Sequence, residues 1–231
     1  MSAGGPELVD DAVDPAHHLR RVTRLGDLTY RFLCSLARLL AKVVWRFEVS
    51  GRERLPTVGA FVLCPIHRSY IDFLVAGMAV PRRMRFMAKD SLWRAPRFAR
   101  FLESIGAFPV DREHADRTAL RRAEEAVGGG EPLVMFPEGR RQEGAVVAEM
   151  QQGPAFVACR MRVPLVPVGI GGSDRAMPIG AKMIRFAKVR VVIGEPIYPD
   201  VPLEGRVPRR VVAETSDQLK AAIQELYDSV R

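Results

Sequence analysis

Cysteine is scarce in this chain: Cys34, Cys64 and Cys159 are the only three among 231 residues. Their wide spacing rules out the close pairs of a zinc site and fits a reducing cytoplasm best. Long apolar runs are missing too. None approaches the ~20 residues that cross a bilayer, so a membrane would be met only at its surface. Residues 1–18 carry glycine, proline and acidic residues around no apolar core. That excludes a signal peptide and predicts a loose tail. Aromatic residues make up only 7% of the chain. No aromatic and basic interleaving on a strand face resembles a base-stacking platform, which argues against a nucleic-acid partner. Neither an internal repeat nor a low-complexity tract is present.

Acidic residues are outnumbered, 27 against 35 lysines and arginines, leaving a formal charge of +8. That excess suits an anionic partner, whether a phosphorylated substrate, an acidic lipid surface or nucleic acid, and charge alone does not choose among them. With 48% hydrophobic and 27% charged residues, the composition is that of one folded domain with a sizeable core.

Between residues 19 and 48, Leu25, Leu28, Phe32, Leu36, Leu39, Leu40, Val43 and Phe47 recur at helical spacing. Arg24, Arg31, Arg38 and Lys42 fall on a neighbouring flank. This segment is expected to be an amphipathic helix that either packs on the domain or lies in an anionic membrane interface. From residue 49 to 231, apolar strand-like runs alternate with helical segments. The expectation is an α/β domain with a central, mostly parallel sheet flanked by helices.

One stretch organises that domain. In Phe61-Val62-Leu63-Cys64-Pro65-Ile66-His67-Arg68-Ser69-Tyr70-Ile71-Asp72-Phe73 a buried strand runs into a polar turn, and a helix then begins, with Ser69 as its expected cap. His67 is expected at the strand's C-terminal edge with Asp72 close behind. An aspartate that accepts a hydrogen bond from one imidazole nitrogen leaves the other free to take a proton. No Ser or Cys nucleophile stands beside the pair, so its natural task is to deprotonate a hydroxyl that a substrate supplies. Two more strand ends are expected on the same rim. Gly106 to Arg112 opens into a turn. Leu133-Val134-Met135-Phe136 empties into Pro137-Glu138-Gly139-Arg140-Arg141.

His67 and Asp72, then Gly-Ala-Phe-Pro-Val-Asp-Arg at 106–112, Phe-Pro-Glu-Gly at 136–139 and Val-Pro-Leu-Val-Pro-Val at 163–168 resemble the four ordered blocks of the glycerolipid acyltransferase family, which includes the 1-acylglycerol-3-phosphate acyltransferases. The resemblance runs from about Gly51 to Ile197. It implies that His67 is the general base and Asp72 its orienting acid. By the same token Arg112, Glu138, Gly139 and Arg141 bind the phosphorylated acceptor, with Lys89 in the same pocket; Arg140 is a candidate helper from its place beside Arg141 on the rim, not from the resemblance. It implies no metal and no redox cofactor. The co-substrate is acyl-CoA or acyl-carrier protein, and the acceptor is a phosphorylated glycerol or lysolipid. The enzyme would sit peripherally on the cytoplasmic face of the membrane. Ile66, Arg140, Gln142 and Gln152 depart from the family's usual residues. The wording of the first block is nearer that of glycerol-3-phosphate and dihydroxyacetone-phosphate acyltransferases, which keeps those acceptors and other lysolipids open. From another class, a non-catalytic lipid-binding module is the alternative. The intact His67, Asp72, Arg112 and Glu138 argue against it.

Overall fold

The computed structural model describes residues 24–110, 117–202 and 204–231, with side chains from Ser35 onward. The expected tail at 1–18 and Arg112 lie outside the described residues.

Among the described residues seven strands form one sheet: β1 (Glu48–Ser50), β2 (Val62–Pro65), β3 (Arg85–Lys89), β4 (Ala107–Val110), β5 (Leu133–Val134), β6 (Leu165–Gly171) and β7 (Arg190–Ile193). Their order across the sheet is β1-β7-β6-β2-β5-β3-β4. From β6 to β4 every pairing is parallel, while β7 runs antiparallel to β6 and β1 follows β7. β2 and β6 are buried along their whole length, as continuous apolar strands covered on both faces must be. Phe61, Leu63, Ile66, Leu133, Leu165 and Ile170 are among the fully buried side chains at the centre.

Helices cover the sheet: α1 (Arg24–Trp45), α2 (Asp72–Ala79), α3 (Pro96–Ser104), α4 (Arg117–Gly128), α5 (Gly153–Met161), the short α6 (Ser173–Ala176) and α7 (Arg209–Asp228). α7 packs directly on β6. Glycine allows this approach: a Cβ on Gly171 would stand 2.1 Å from the Val230 carbonyl oxygen, and one on Gly169 would stand 2.6 Å from the Leu226 carbonyl carbon.

The N-terminal helix divides its faces differently from the expectation. Ala41 and Trp45, with Phe47 just beyond the helix, enter the core, whereas Leu36, Leu39, Leu40 and Val43 of the apolar stripe are exposed. Arg38 belongs to no solvated basic edge. Its Nε donates to Met78 O at 2.8 Å and its Nη2 to Val80 O at 2.7 Å, at the C-terminal end of α2. Arg52 donates from Nε to Ala79 O at 3.0 Å. Two cations thus meet carbonyls that a helix end leaves unpaired. Desolvation, and then the charge of Arg38, lower the pKa of Arg52 from its ordinary value.

Candidate active site

Because β2 to β6 are mutually parallel, their C-terminal ends share one rim, and β2 delivers His67 to it. Its Nδ1 lies 3.0 Å from Asp72 Oδ2. The same oxygen accepts the backbone N–H groups of Arg68 and Ser69, each at 2.6 Å. Asp72 is fully buried at the first position of α2. Ser69 does not cap that helix. Its hydroxyl accepts from Ile71 N–H at 3.3 Å and donates to Met177 O at 2.6 Å, tying the turn to the loop after α6. One face of the His67 ring stacks on Phe136, with centroids 4.0 Å apart. With Nδ1–H held by Asp72, Nε2 is the nitrogen left to take up a proton.

Behind His67 lies an ion pair the sequence reading did not single out. Arg68 Nη1 donates to both Glu138 oxygens at 2.8 Å. Glu138 also accepts from His67 N–H at 2.9 Å and from Ala148 N–H at 3.1 Å. The His67 carbonyl in turn accepts from Arg68 Nη1 at 3.1 Å and from Gln142 N–H at 2.9 Å. The carboxylate of Glu138 is therefore engaged within the protein, and the geometry makes it a bracket for the His67 backbone rather than a free anion on the rim.

His67, Glu138 and Gly139 line an open cavity of about 980 Å³. Arg117 and Arg140 line it too; the first was not among the expected residues and the second only a candidate helper. Gly139 adopts φ 68°, the left-handed turn that glycine favours. No Ser, Thr or Cys side chain lies on the described lining. Lys89 reaches the rim at the end of β3, in register with Val110, without lining the cavity. Arg141 lies over Tyr70, its guanidinium carbon 3.3 Å from the ring centroid. Its Nη1 is buried and has no hydrogen-bond partner among the described residues. The backbone amides of Arg68 and Ser69 go to Asp72, and that of Gly139 goes to Phe136 O. Among the described residues no cluster of His, Cys, Asp and Glu has the make-up of a metal site.

The sequence profile of the family described as Acyltransferase matches residues 46–171. This chain belongs to the acyltransferase family. Among relatives of this acyltransferase, the 1-acyl-sn-glycerol-3-phosphate acyltransferase of Bacillus subtilis (strain 168) is 27% identical over 170 residues, 73% of this chain and 82% of that one. The enzyme of that name from Streptococcus pneumoniae is 29% identical over 174 residues, covering 72% of this chain and 62% of its own. The chloroplastic 1-acyl-sn-glycerol-3-phosphate acyltransferase of Brassica napus is 26% identical over 171 residues, but the match spans only 49% of that longer chain. The crystal structure of the 1-acyl-sn-glycerophosphate acyltransferase of Thermotoga maritima superposes with a TM-score of 0.71, covering 91% of this chain and 86% of its own. At 22% identity that likeness speaks for the fold.

Proposed function

We propose that this acyltransferase moves a fatty acyl group from a thioester, acyl-CoA or acyl-carrier protein, to the free hydroxyl of 1-acylglycerol-3-phosphate, giving phosphatidate for phospholipid synthesis. The observation that carries the reading is the His67–Asp72 pair at 3.0 Å beside a cavity whose described lining holds no hydroxyl or thiol side chain. With no nucleophile of its own there, the site suits direct attack by the acceptor's hydroxyl.

In this reading His67 Nε2 takes the proton as the hydroxyl oxygen attacks the thioester carbonyl, and Asp72 retains Nδ1–H and steadies the imidazolium. General-base assistance of this kind is worth about 10² to 10⁴ in rate. The tetrahedral intermediate collapses by breaking the carbon–sulfur bond, and the departing thiolate recovers the proton from His67. The peptide amides of Arg140 and Arg141 make no hydrogen bond among the described residues, which makes them the candidate donors to the oxyanion. Arg141 and Arg112 are assigned to the acceptor's phosphate, with Arg117, Arg140 and Lys89 adding positive potential on the rim. We place the enzyme peripherally on the cytoplasmic face of the membrane. Among the described residues no helix is long and apolar enough to cross a bilayer, and the exposed stripe of α1 suits an interface.

The test is purified protein with labelled acyl-CoA or acyl-carrier protein and a panel of 1-acylglycerol-3-phosphate, glycerol-3-phosphate, dihydroxyacetone phosphate and neutral lysolipids, with products identified by mass. Phosphatidate as the dominant product is expected. Exclusive acylation of another acceptor would reassign the substrate, and binding without turnover of any acceptor would make the protein a lipid-binding module.

A further inference from the structure

The segment from Met177 to Ala187 links α6 to β7. In the structure it carries a run of exposed apolar side chains, Ile179, Met183, Ile184 and Phe186, of which Phe186 at 84% and Met183 at 78% are the most exposed. Lys182 and Arg185 are interleaved with them, both exposed and in no ion pair among the described residues. From Arg175 to Gly194 the chain contains five basic residues and no acid: Arg175, Lys182, Arg185, Lys188 and Arg190.

The segment is held in place. Met177 O accepts from Ser69 Oγ at 2.6 Å, Arg185 N–H donates to Ala176 O at 2.8 Å, and Val189 N–H donates to Trp45 O at 2.8 Å. The first of these bonds fixes the loop two residues from His67. A pinned loop that exposes this much apolar surface has left it uncovered for a partner.

We propose that this loop is a lipid-penetrating element, seating Met183, Ile184 and Phe186 among acyl chains of an anionic membrane while Lys182 and Arg185 contact its phosphates, so that the site beside His67 opens at the lipid surface. The charge pattern selects this occupant. Anionic headgroups attract each basic residue near the surface, and apolar side chains between them gain from entering the acyl boundary. A second copy of the chain, meeting this patch with its own identical patch, would bring like charges together. The inference rests on the reading of the acceptor as a membrane lipid and adds the surface through which it is reached.

The test uses the full chain carrying Phe186→Trp, with the unsubstituted protein as the fluorescence baseline. Vesicles are phosphatidylcholine alone or phosphatidylcholine with phosphatidylglycerol, each with and without brominated acyl chains. The added tryptophan emission is expected to shift to the blue and to be quenched by brominated lipid in the anionic vesicles. Lys182→Ala with Arg185→Ala should weaken binding to anionic vesicles about thirtyfold. Met183→Ser with Phe186→Ser should weaken it about tenfold or more. Both double variants should retain wild-type turnover of a short-chain acceptor kept below its micelle concentration. An unquenched, unshifted tryptophan on vesicles that float the protein would overturn the proposal. So would a lipid-independent blue shift that grows with protein concentration, because the patch would then be covered by another copy. Loss of turnover on the monomeric acceptor would assign the loop to the site instead. Should the unsubstituted enzyme acylate no acceptor, the function reading fails while the quenching result still decides where the loop sits.

Discussion

Arg68 and Glu138, 70 positions apart in the chain, meet at 2.8 Å with neither side chain reaching solvent. Between them they hold the backbone of His67 at both its N–H and its carbonyl. Removing one partner strands the other as a buried charge, so Glu138→Ala should cost about 3 to 5 kcal/mol of stability. Arg68→Met with Glu138→Leu should recover much of that loss and still be impaired in turnover, because the His67 N–H and carbonyl lose their side-chain partners. Denaturant unfolding and initial rates on the same preparations check both halves.

His67→Ala should leave the fold intact and reduce transfer by about 10² to 10⁴ or more, the usual share of a general base. Asp72→Asn should also be severely impaired: a neutral amide oxygen could still face the three N–H groups that Asp72 Oδ2 accepts, but it lacks the negative charge that steadies the imidazolium, and its NH2 group is buried in place of an oxygen that has no hydrogen-bond partner among the described residues. Near-normal turnover by a folded His67→Ala protein would sink the mechanism.

Arg141→Ala and Arg112→Ala should each raise the Michaelis constant for the phosphorylated acceptor about 10 to 150-fold, the worth of one charge-assisted contact of about 1.5 to 3 kcal/mol. The constant for acyl-CoA should change far less. Arg141→Lys should rescue only part, since a point charge has neither the fork nor the planar group that lies over Tyr70. Kinetics with each substrate varied separately decide the matter; equal effects on both would remove the arginines from the phosphate.

Burial pushes the Cys64 thiol far above its ordinary pKa, and burial also raises that of Cys159. A raised folded-state pKa means stability that is intact below the unfolded value of 9.0 and is lost above it, where only the unfolded chain releases the proton. Unfolding free energy should therefore decline above pH 9. Cys64→Ala should make that decline shallower by about 1.4 kcal/mol per pH unit, however much the substitution costs at neutral pH. Parallel alkaline slopes for the two proteins would contradict the burial of Cys64.

The two faces of α1 should separate experimentally. Arg38→Ala removes the bonds to the Met78 and Val80 carbonyls and should cost about 1 to 3 kcal/mol in stability. Leu39→Ser with Val43→Ser touches only exposed positions and should leave stability within about 0.5 kcal/mol. On the proposed interfacial role it should lower flotation with anionic vesicles. Unchanged flotation would leave α1 a purely structural helix.

The sheet and its rim were legible because continuous apolar runs such as Val62–Cys64 and Leu165–Ile170 admit few readings, and because each empties into a polar turn. His67 and Asp72 were legible for a related reason: His67 follows the end of β2 and Asp72 opens α2 only five residues later, so short-range geometry nearly dictates their contact. Relations across the fold were not. Nothing in the sequence pairs Arg68 with Glu138 or sends Arg38 to α2, since a guanidinium on a long side chain can be spent on any nearby carbonyl or carboxylate. The strand Glu48–Ser50 was missed because three residues give no period, and it exists only as an edge pairing with β7. The helical stripe on α1 was seen, but periodicity reports that a face exists and not whether protein covers it. The exposure of Met183 and Phe186 in the loop from Met177 to Ala187 is likewise a property that composition does not reveal.

The pairing of β1 with β7 sets an order of events at the ribosome. Glu48 finds its register partner only once Arg190 has emerged, which at usual elongation rates leaves β1 waiting roughly ten seconds or more. Among the described residues, the first strand made is thus among the last to be annealed, its edge open to capture in the interval. Variants that weaken β7 should therefore appear first as nascent-chain aggregation or dependence on a holdase, well before they register as a lower melting temperature.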